Sequence, residues 1–204
     1  RVCAVKSGDL FKAVKGGSAS IVTDHIDRFT EKGILLKSGK ELEADIVVSA
    51  TGLELKFMGG IKITVDGDDF DITQKMNYKG VMIEGLPNLG NTFGYTNASW
   101  TLKADLTSEY MCRLIKDMDK KGVQKVVALN NDLSVTKSNF LDFQSGYVQR
   151  AIERFPKKGS KLPWKLYQNY PVDLVMLRYG KLADGKLRFS KATGQRSASL
   201  RKAS

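Results

Sequence analysis

The chain has 204 residues, 42% hydrophobic and 27% charged, enough apolar material for one globular core or two small ones and too much for a disordered chain. No run reaches the ~18 to 20 apolar residues of a membrane span, and no charged-then-apolar secretory leader is present. Cys3 and Cys112 stand far apart without a CxxC partner, which disfavours a disulfide framework or a cysteine-rich metal site and makes a reducing cytoplasm the expected setting.

The net charge of +11 invites a nucleic-acid reading. However, the basic residues are scattered singly, gathering only at Lys157, Lys158 and Lys161 and from Lys191 to Lys202, and aromatics are not interleaved with them as a stacking platform requires. No nucleic-acid partner is therefore expected. A solvated basic surface is the first reading, and attraction to anionic small molecules or peripheral attachment to a membrane surface the next.

Arg1 opens the chain where a methionine is usual, and Val2 to Val5 is already apolar, which predicts the interior or C-terminal part of a longer protein. Asp9 is placed to cap a helical turn over Leu10, Phe11, Ala13 and Val14, stopped by Gly16 and Gly17. Ala19 to Ile26 reads as a strand carrying the single histidine, His25, in a structural role; Gly33 to Leu36 reads as its antiparallel neighbour. Asp45 to Gly52, DIVVSATG, is the stretch that organises the rest. Its β-branched run suits a parallel strand covered on both faces, and Ser49 to Gly52 form a small-residue exit turn of the kind that lets backbone approach a ligand. A plain buried strand with a tight turn fits the same residues.

Beyond Gly52, Ile61 to Val65 and Phe70 to Ile72 flank Asp66, Gly67, Asp68 and Asp69 as a hairpin, since the glutamate that would close a calcium loop is missing. Val81 to Ile83 is a further short strand. Gly85 to Asp105, GLPNLGNTFGYTNASWTLKAD, predicts a turn, a strand through Leu89, an asparagine-rich loop and a helix. That helix repeats Leu102, Leu106, Tyr110, Met111, Leu114, Ile115 and Met118 at helical spacing and ends at Gly122. Its first turn, Ala98 to Thr101, presents free N–H groups and the positive end of the helix dipole, which suits an electron-rich carbonyl or an anion; an ordinary cap by Asn97 or Ser99 is the alternative. Later come a turn at Asn130, Asn131 and Asp132, a helix over Asp142 to Phe155 ended by Pro156, and an aromatic stretch with Trp164, Tyr167 and Tyr170 that packs on the core or lines a pocket. The last segment, ATGQRSASLRKAS, reads as disordered.

DIVVSATG, GLPNLGNTFGYTNASWTLKADL and the stretch from Tyr147 to Phe189, in that order, resemble the flavin-containing monooxygenases, in the Baeyer–Villiger branch that includes the ethionamide-activating monooxygenase. The resemblance covers nearly the whole chain. It implies an α/β fold: part of a Rossmann-like two-domain flavoprotein that binds FAD and NADPH, with a C-terminal helical extension. Residues 1–52 would end the NADPH-binding domain, 53–122 would be the returning part of the FAD-binding domain, 123–190 the extension and 191–204 a disordered tail. The glycine-rich turns that hold the two pyrophosphates are absent from this sequence, so the isolated chain is expected to be inactive. The implied reaction passes through a C4a-peroxyflavin and inserts one atom of O2 beside a ketone; oxidation of sulfur or nitrogen, or a catalytically empty binding module, are the alternatives. By the same resemblance Arg1 would be the fixed catalytic cation. Ala50, Thr51 and Gly52 would link the two cofactor domains, and Asn97, Ser99, Trp100 and Thr101 would line the flavin.

Overall fold

Short glycine-punctuated strands, one long amphipathic helix and long irregular connections make this a mixed α/β chain. The computed structural model describes residues 6–182 and 184–191. Arg1, Cys3, the stretch 2–5 and the segment 192–204 lie outside the described residues. The chain divides into two units, Arg1–Gly52 and Leu53–Ser204.

In the first unit, helix α1 (Asp9–Lys15) follows Gly8, whose φ of 65° only glycine adopts freely. Asp9 is thus the first helical residue and not its cap; it pairs with Lys12 at 3.4 Å. Gly16 closes the helix, as expected. Strands β1 (Ile26–Phe29), β2 (Gly33–Leu36) and β3 (Glu41–Glu43) form one antiparallel sheet in that order. Gly33 lies so close to the neighbouring backbone that a Cβ there would sit 2.0 Å from the Leu42 carbonyl. The expected strand over 19–26 begins only at Ile26. The Asp24 carboxylate accepts the N–H of His25 at 2.6 Å, offering the backbone an alternative to the ladder, and His25 itself is exposed on a loop.

The expected strand at Asp45 does not form. Residues 46–50 are irregular, and Ile46 and Val48 are 82% and 83% exposed. A parallel strand needs a hydrogen-bonded neighbour and cover on both faces, and among the described residues of this unit no strand pairs with it.

The second unit opens with the expected hairpin, drawn tighter than expected. Strands β4 (Thr64–Val65) and β5 (Asp68–Asp69) turn on Asp66 and Gly67, both at positive φ, as a two-residue hairpin demands. A second hairpin, β6 (Asn77–Tyr78) and β7 (Met82–Ile83), turns through three residues, Lys79, Gly80 and Val81, the first two at positive φ, and is buried throughout. The strand expected through Leu89 is replaced by loop. Asn88 donates its N–H to the Val126 carbonyl, and its side-chain oxygen accepts the Val126 N–H, which ties the proline turn to the strand that follows the long helix.

That helix, α2 (Trp100–Lys121), has Ser99 as N-cap and Gly122 in the left-handed conformation as C-cap. Its buried face carries Lys103, Leu106, Thr107, Tyr110 and Leu114, while Leu102 and Ile115, expected to be covered, are 38% and 52% exposed. Strand β8 (Lys125–Ala128) follows it and later pairs with β11 (Leu187–Ser190); β9 (Lys137–Asn139) pairs with β10 (Lys157–Gly159), all antiparallel. The helix expected over 142–155 shrinks to α3 (Gly146–Gln149) and a short 3-10 turn at Ile152–Arg154. Gly146 weakens the helix interior, and Asp142 is drawn away to pair with Lys158. Helix α4 (Tyr170–Leu174) is capped by Asn169, whose side chain accepts the Val172 N–H at 3.2 Å, and it runs on as a π-turn, Val175–Tyr179. The expected helical extension is therefore mixed, with four strands and only short helices. Among the described residues every sheet is antiparallel, so a doubly wound parallel sheet is not contained in them.

Two apolar cores hold this unit. One gathers Met76, Tyr78, Leu106, Tyr110, Leu114 and Trp164 beneath α2. The other is built on aromatic edges: Phe57 and Phe93 each meet Phe140 and Phe155, with ring centroids 5.1 to 6.2 Å apart. No helix among the described residues is long and apolar enough to cross a membrane.

Candidate functional site

The loop from Asn91 to Ser99 delivers the chain to α2 through one close contact. A Cβ on Gly94 would lie 2.2 Å from Cγ of Trp100, so only glycine lets that indole fold back over the loop, where it also meets the Phe93 ring at 5.3 Å. Ser99 is extended (φ −63°, ψ 136°) and its side chain caps nothing; its Oγ is 2.7 Å from Oγ1 of Thr101. The entry to this 22-residue helix is thus exposed at Asn97, Ser99, Trp100 and Thr101, and among the described residues no side chain caps its first backbone donors. Four of the sequence-predicted site residues come together here. Ala50, Thr51 and Gly52 lie on exposed irregular backbone of the first unit, with Gly52 at φ 101°. Arg1 lies outside the described residues.

Beneath this turn the sequence hid a buried charge cluster. Lys103 Nζ is 2.9 Å from Asp173 Oδ2, with the side chains 5% and 7% exposed, and Tyr95 donates its hydroxyl to the same carboxylate oxygen at 2.8 Å. Burial lowers the Lys103 pKa, opposed by the Asp173 charge. Burial, then the bond to Asp173, pushes Tyr95 well above the usual tyrosine range. A Cβ on Gly80 would come within 2.9 Å of Lys103 Nζ, so the hairpin turn leaves room for the ammonium.

A second pair repeats the device. Lys79 Nζ meets Asp184 at 2.9 Å, and Tyr78 donates its hydroxyl to Asp184 at 2.5 Å. Burial raises Tyr110, which lies 3.4 Å from the Tyr78 hydroxyl, to about 12. Arg113 of α2 then donates to the carbonyls of Leu177, Arg178 and Gly180 and so closes the end of the π-turn. The one sequence signal for any of this is a lysine at position 103, in register with Leu106, Tyr110 and Leu114 on an otherwise apolar stripe.

Alongside lies a cleft of about 160 Å³. Its walls are the segments 140–143 and 166–168, with Thr96 at one end and Lys158 at the rim. Gln168, at φ 51°, accepts the Thr96 N–H on its side-chain oxygen at 2.9 Å and so ties this cleft to the loop before α2. A void of about 10 Å³, room for a single water, shares the Phe140, Leu166 and Gln168 walls and reaches Lys103 and Asp173.

No family model matches the sequence. Among curated proteins, the chain is 51% identical over 191 residues to the FAD-containing monooxygenase EthA of Mycobacterium tuberculosis, covering 94% of this chain and 39% of that protein. It is 49% identical over 199 residues to EthA of Mycolicibacterium smegmatis, covering 98% and 40%. It is 47% identical over 194 residues to the probable FAD-binding monooxygenase AlmA of Acinetobacter baylyi, covering 95% and 39%. The chain spans about two fifths of the length of these relatives. About half of its residues are shared with these FAD-containing and FAD-binding monooxygenases across nearly the whole length of the chain.

Proposed function

We propose that this chain is the C-terminal part of an FAD- and NADPH-dependent monooxygenase that transfers one oxygen atom from O2 to a small organic substrate. One observation carries the reading: the exposed, uncapped start of a 22-residue helix, in a chain that shares half of its aligned residues with proteins named for FAD. The group fits the residues present. Ala98 and Ser99 are small, the Trp100 indole is folded back onto Gly94, and the open N–H groups with the positive helix end match the electron-rich pyrimidine edge of a flavin.

Asn97, Ser99, Trp100 and Thr101 would hold the ring, with the helix N–H groups stabilising negative charge on its carbonyl side. Ala50, Thr51 and Gly52 would form the link between the two cofactor domains. Arg1 would supply a cation that cannot deprotonate at any working pH. The flavin, once bound, supplies the activation of O2 with electrons from NADPH; the protein's part is to orient, to exclude water and to hold charge. Residues 1–52 would close the NADPH-binding domain, 53–122 would belong to the FAD-binding domain, and 123–190 would form the extension. The exposed run Ile46 to Val48 supports a Rossmann-like sheet in the longer protein, since a strand of a parallel sheet is apolar on both faces and lacks cover until its neighbours are present.

Insertion beside a ketone is the preferred chemistry. The upstream-extended protein, supplied with NADPH, O2 and a mixture of a cyclic ketone and an alkyl aryl sulfide, should yield the lactone. Sulfoxide alone would move the assignment to heteroatom oxidation, and NADPH consumption with neither product would remove the oxygen-transfer reading.

A further inference from the structure

We propose that the cleft beside the α2 loop is the substrate-holding site, that it takes a neutral molecule of about six to eight heavy atoms bearing one carbonyl-type acceptor, and that Gln168 supplies the donor to that acceptor. The inference rests on the functional reading above and adds the place and size of the bound substrate and the residues that hold it.

Size comes first. A dry apolar cavity of about 150 Å³ takes up benzene, so the 160 Å³ of this cleft suits a six-membered ring or a short chain. The walls set polarity. Phe140, Leu141, Phe143, Leu166 and Tyr167 present rings and aliphatic groups, and the two charges at the rim, Lys158 and Asp142, are paired with each other and offer no net charge to a ligand. A charged substrate would have to compete with that pair for its partner, which favours a neutral molecule in the cleft.

The single acceptor follows from Gln168. Its side-chain oxygen is taken by the Thr96 N–H, which fixes which way the amide faces, and its Nε2 has no hydrogen-bond acceptor among the described residues. The residue holds a left-handed backbone (φ 51°) that costs a non-glycine residue free energy, and such strain clusters at ligand sites. Through Thr96 the same side chain is bonded to the loop that ends in Asn97 and Ser99, so a molecule held by Gln168 lies next to the proposed flavin face.

The test uses the full-length protein with cyclohexanone as probe. Gln168→Leu removes the donor, together with the acceptor of the Thr96 N–H, and Phe143→Trp fills the slot; flavin content is measured for each, so that a displaced loop is told apart from a lost substrate contact. Gln168→Leu should raise the KM for cyclohexanone about five- to tenfold, the worth of one hydrogen bond, with a smaller change in kcat. Phe143→Trp should raise it at least tenfold, and cyclohexylammonium should not compete with cyclohexanone in the wild type. Unchanged KM within twofold in both variants, with flavin content and NADPH oxidation intact, overturns the assignment of the cleft while leaving the monooxygenase reading in place. If the wild type holds no flavin, that reading fails. Saturation-transfer NMR then decides the cleft alone: transfer to cyclohexanone in the wild type and not in Phe143→Trp upholds it, and equal transfer in both refutes it.

Discussion

The two units solve the same problem unequally. In residues 53–191 two apolar cores, one buried lysine–aspartate pair and a second with its aspartate partly exposed close on themselves, whereas among the described residues of the first unit Leu36 is the one buried large apolar side chain. Helix α1 buries nothing, and Phe11, Ile21, Phe29, Ile46 and Val48 are each at least 66% exposed. The second unit contains the partners of its own elements; the first is a sheet and a helix whose apolar faces stay open. The difference teaches that secondary structure survives on local hydrogen bonds, while burial depends on the neighbours a chain carries with it.

The largest expected effect is at the buried pair. Asp173→Ala leaves the buried Lys103 without its counter-charge, and urea unfolding of the second unit should lose about 3 to 5 kcal/mol; pairing it with Lys103→Met should recover most of that loss. If the single and the double variant are equally unstable, the pair is not what fastens α4 to α2.

Alkaline pH comes next. Tyr110 is raised to about 12, so its stabilisation is whole below the unfolded value near 10 and is lost as pH rises from there through the folded value, amounting to about 2 to 3 kcal/mol. Tyr78 is raised in the same direction by burial. Tyr110→Phe should move the alkaline transition of the second unit to higher pH, and the first unit should show no counterpart.

Gly94→Ala drives a methyl group into the Trp100 ring and should cost about 1 to 3 kcal/mol, with a shift in indole fluorescence as the ring leaves the loop. The smallest change belongs to the first unit. Val48→Ser should alter the stability of this chain by no more than about 0.5 kcal/mol, yet should cost about 2 kcal/mol in an upstream-extended protein where the run is covered. Equal effects in both would mean that the run gains no cover from the rest of the protein.

Legibility followed sequence distance. The α2 helix and its stop at Gly122 were readable because seven apolar residues recur at one period, with its start, expected from Ala98 under a cap by Asn97 or Ser99, falling two residues later at Trp100; β2 and the 61–72 hairpin were readable because glycine and aspartate mark their turns. Ile46 to Val48 read as a strand from composition alone, which identifies a residue run suited to a sheet but not whether the sheet is present. The helix over 142–155 failed where Gly146 and the pairing of Asp142 with Lys158 outweighed the apolar spacing. Lys103 and Asp173 are 70 residues apart, and Gln168 and Thr96 are 72 apart, so nothing local in the sequence couples them. The start of α2 was foreseeable from local signals; the cleft beside it was not.

Under the proposed function, the exposed start of α2 meets a flavin only when upstream residues are attached. The direct measurement is flavin retained after gel filtration, read from the visible spectrum, for the 204-residue chain beside the upstream-extended protein. The account predicts stoichiometric FAD in the extended protein and none in the short one. Tight FAD binding by the 204-residue chain alone, or none by either, would contradict it.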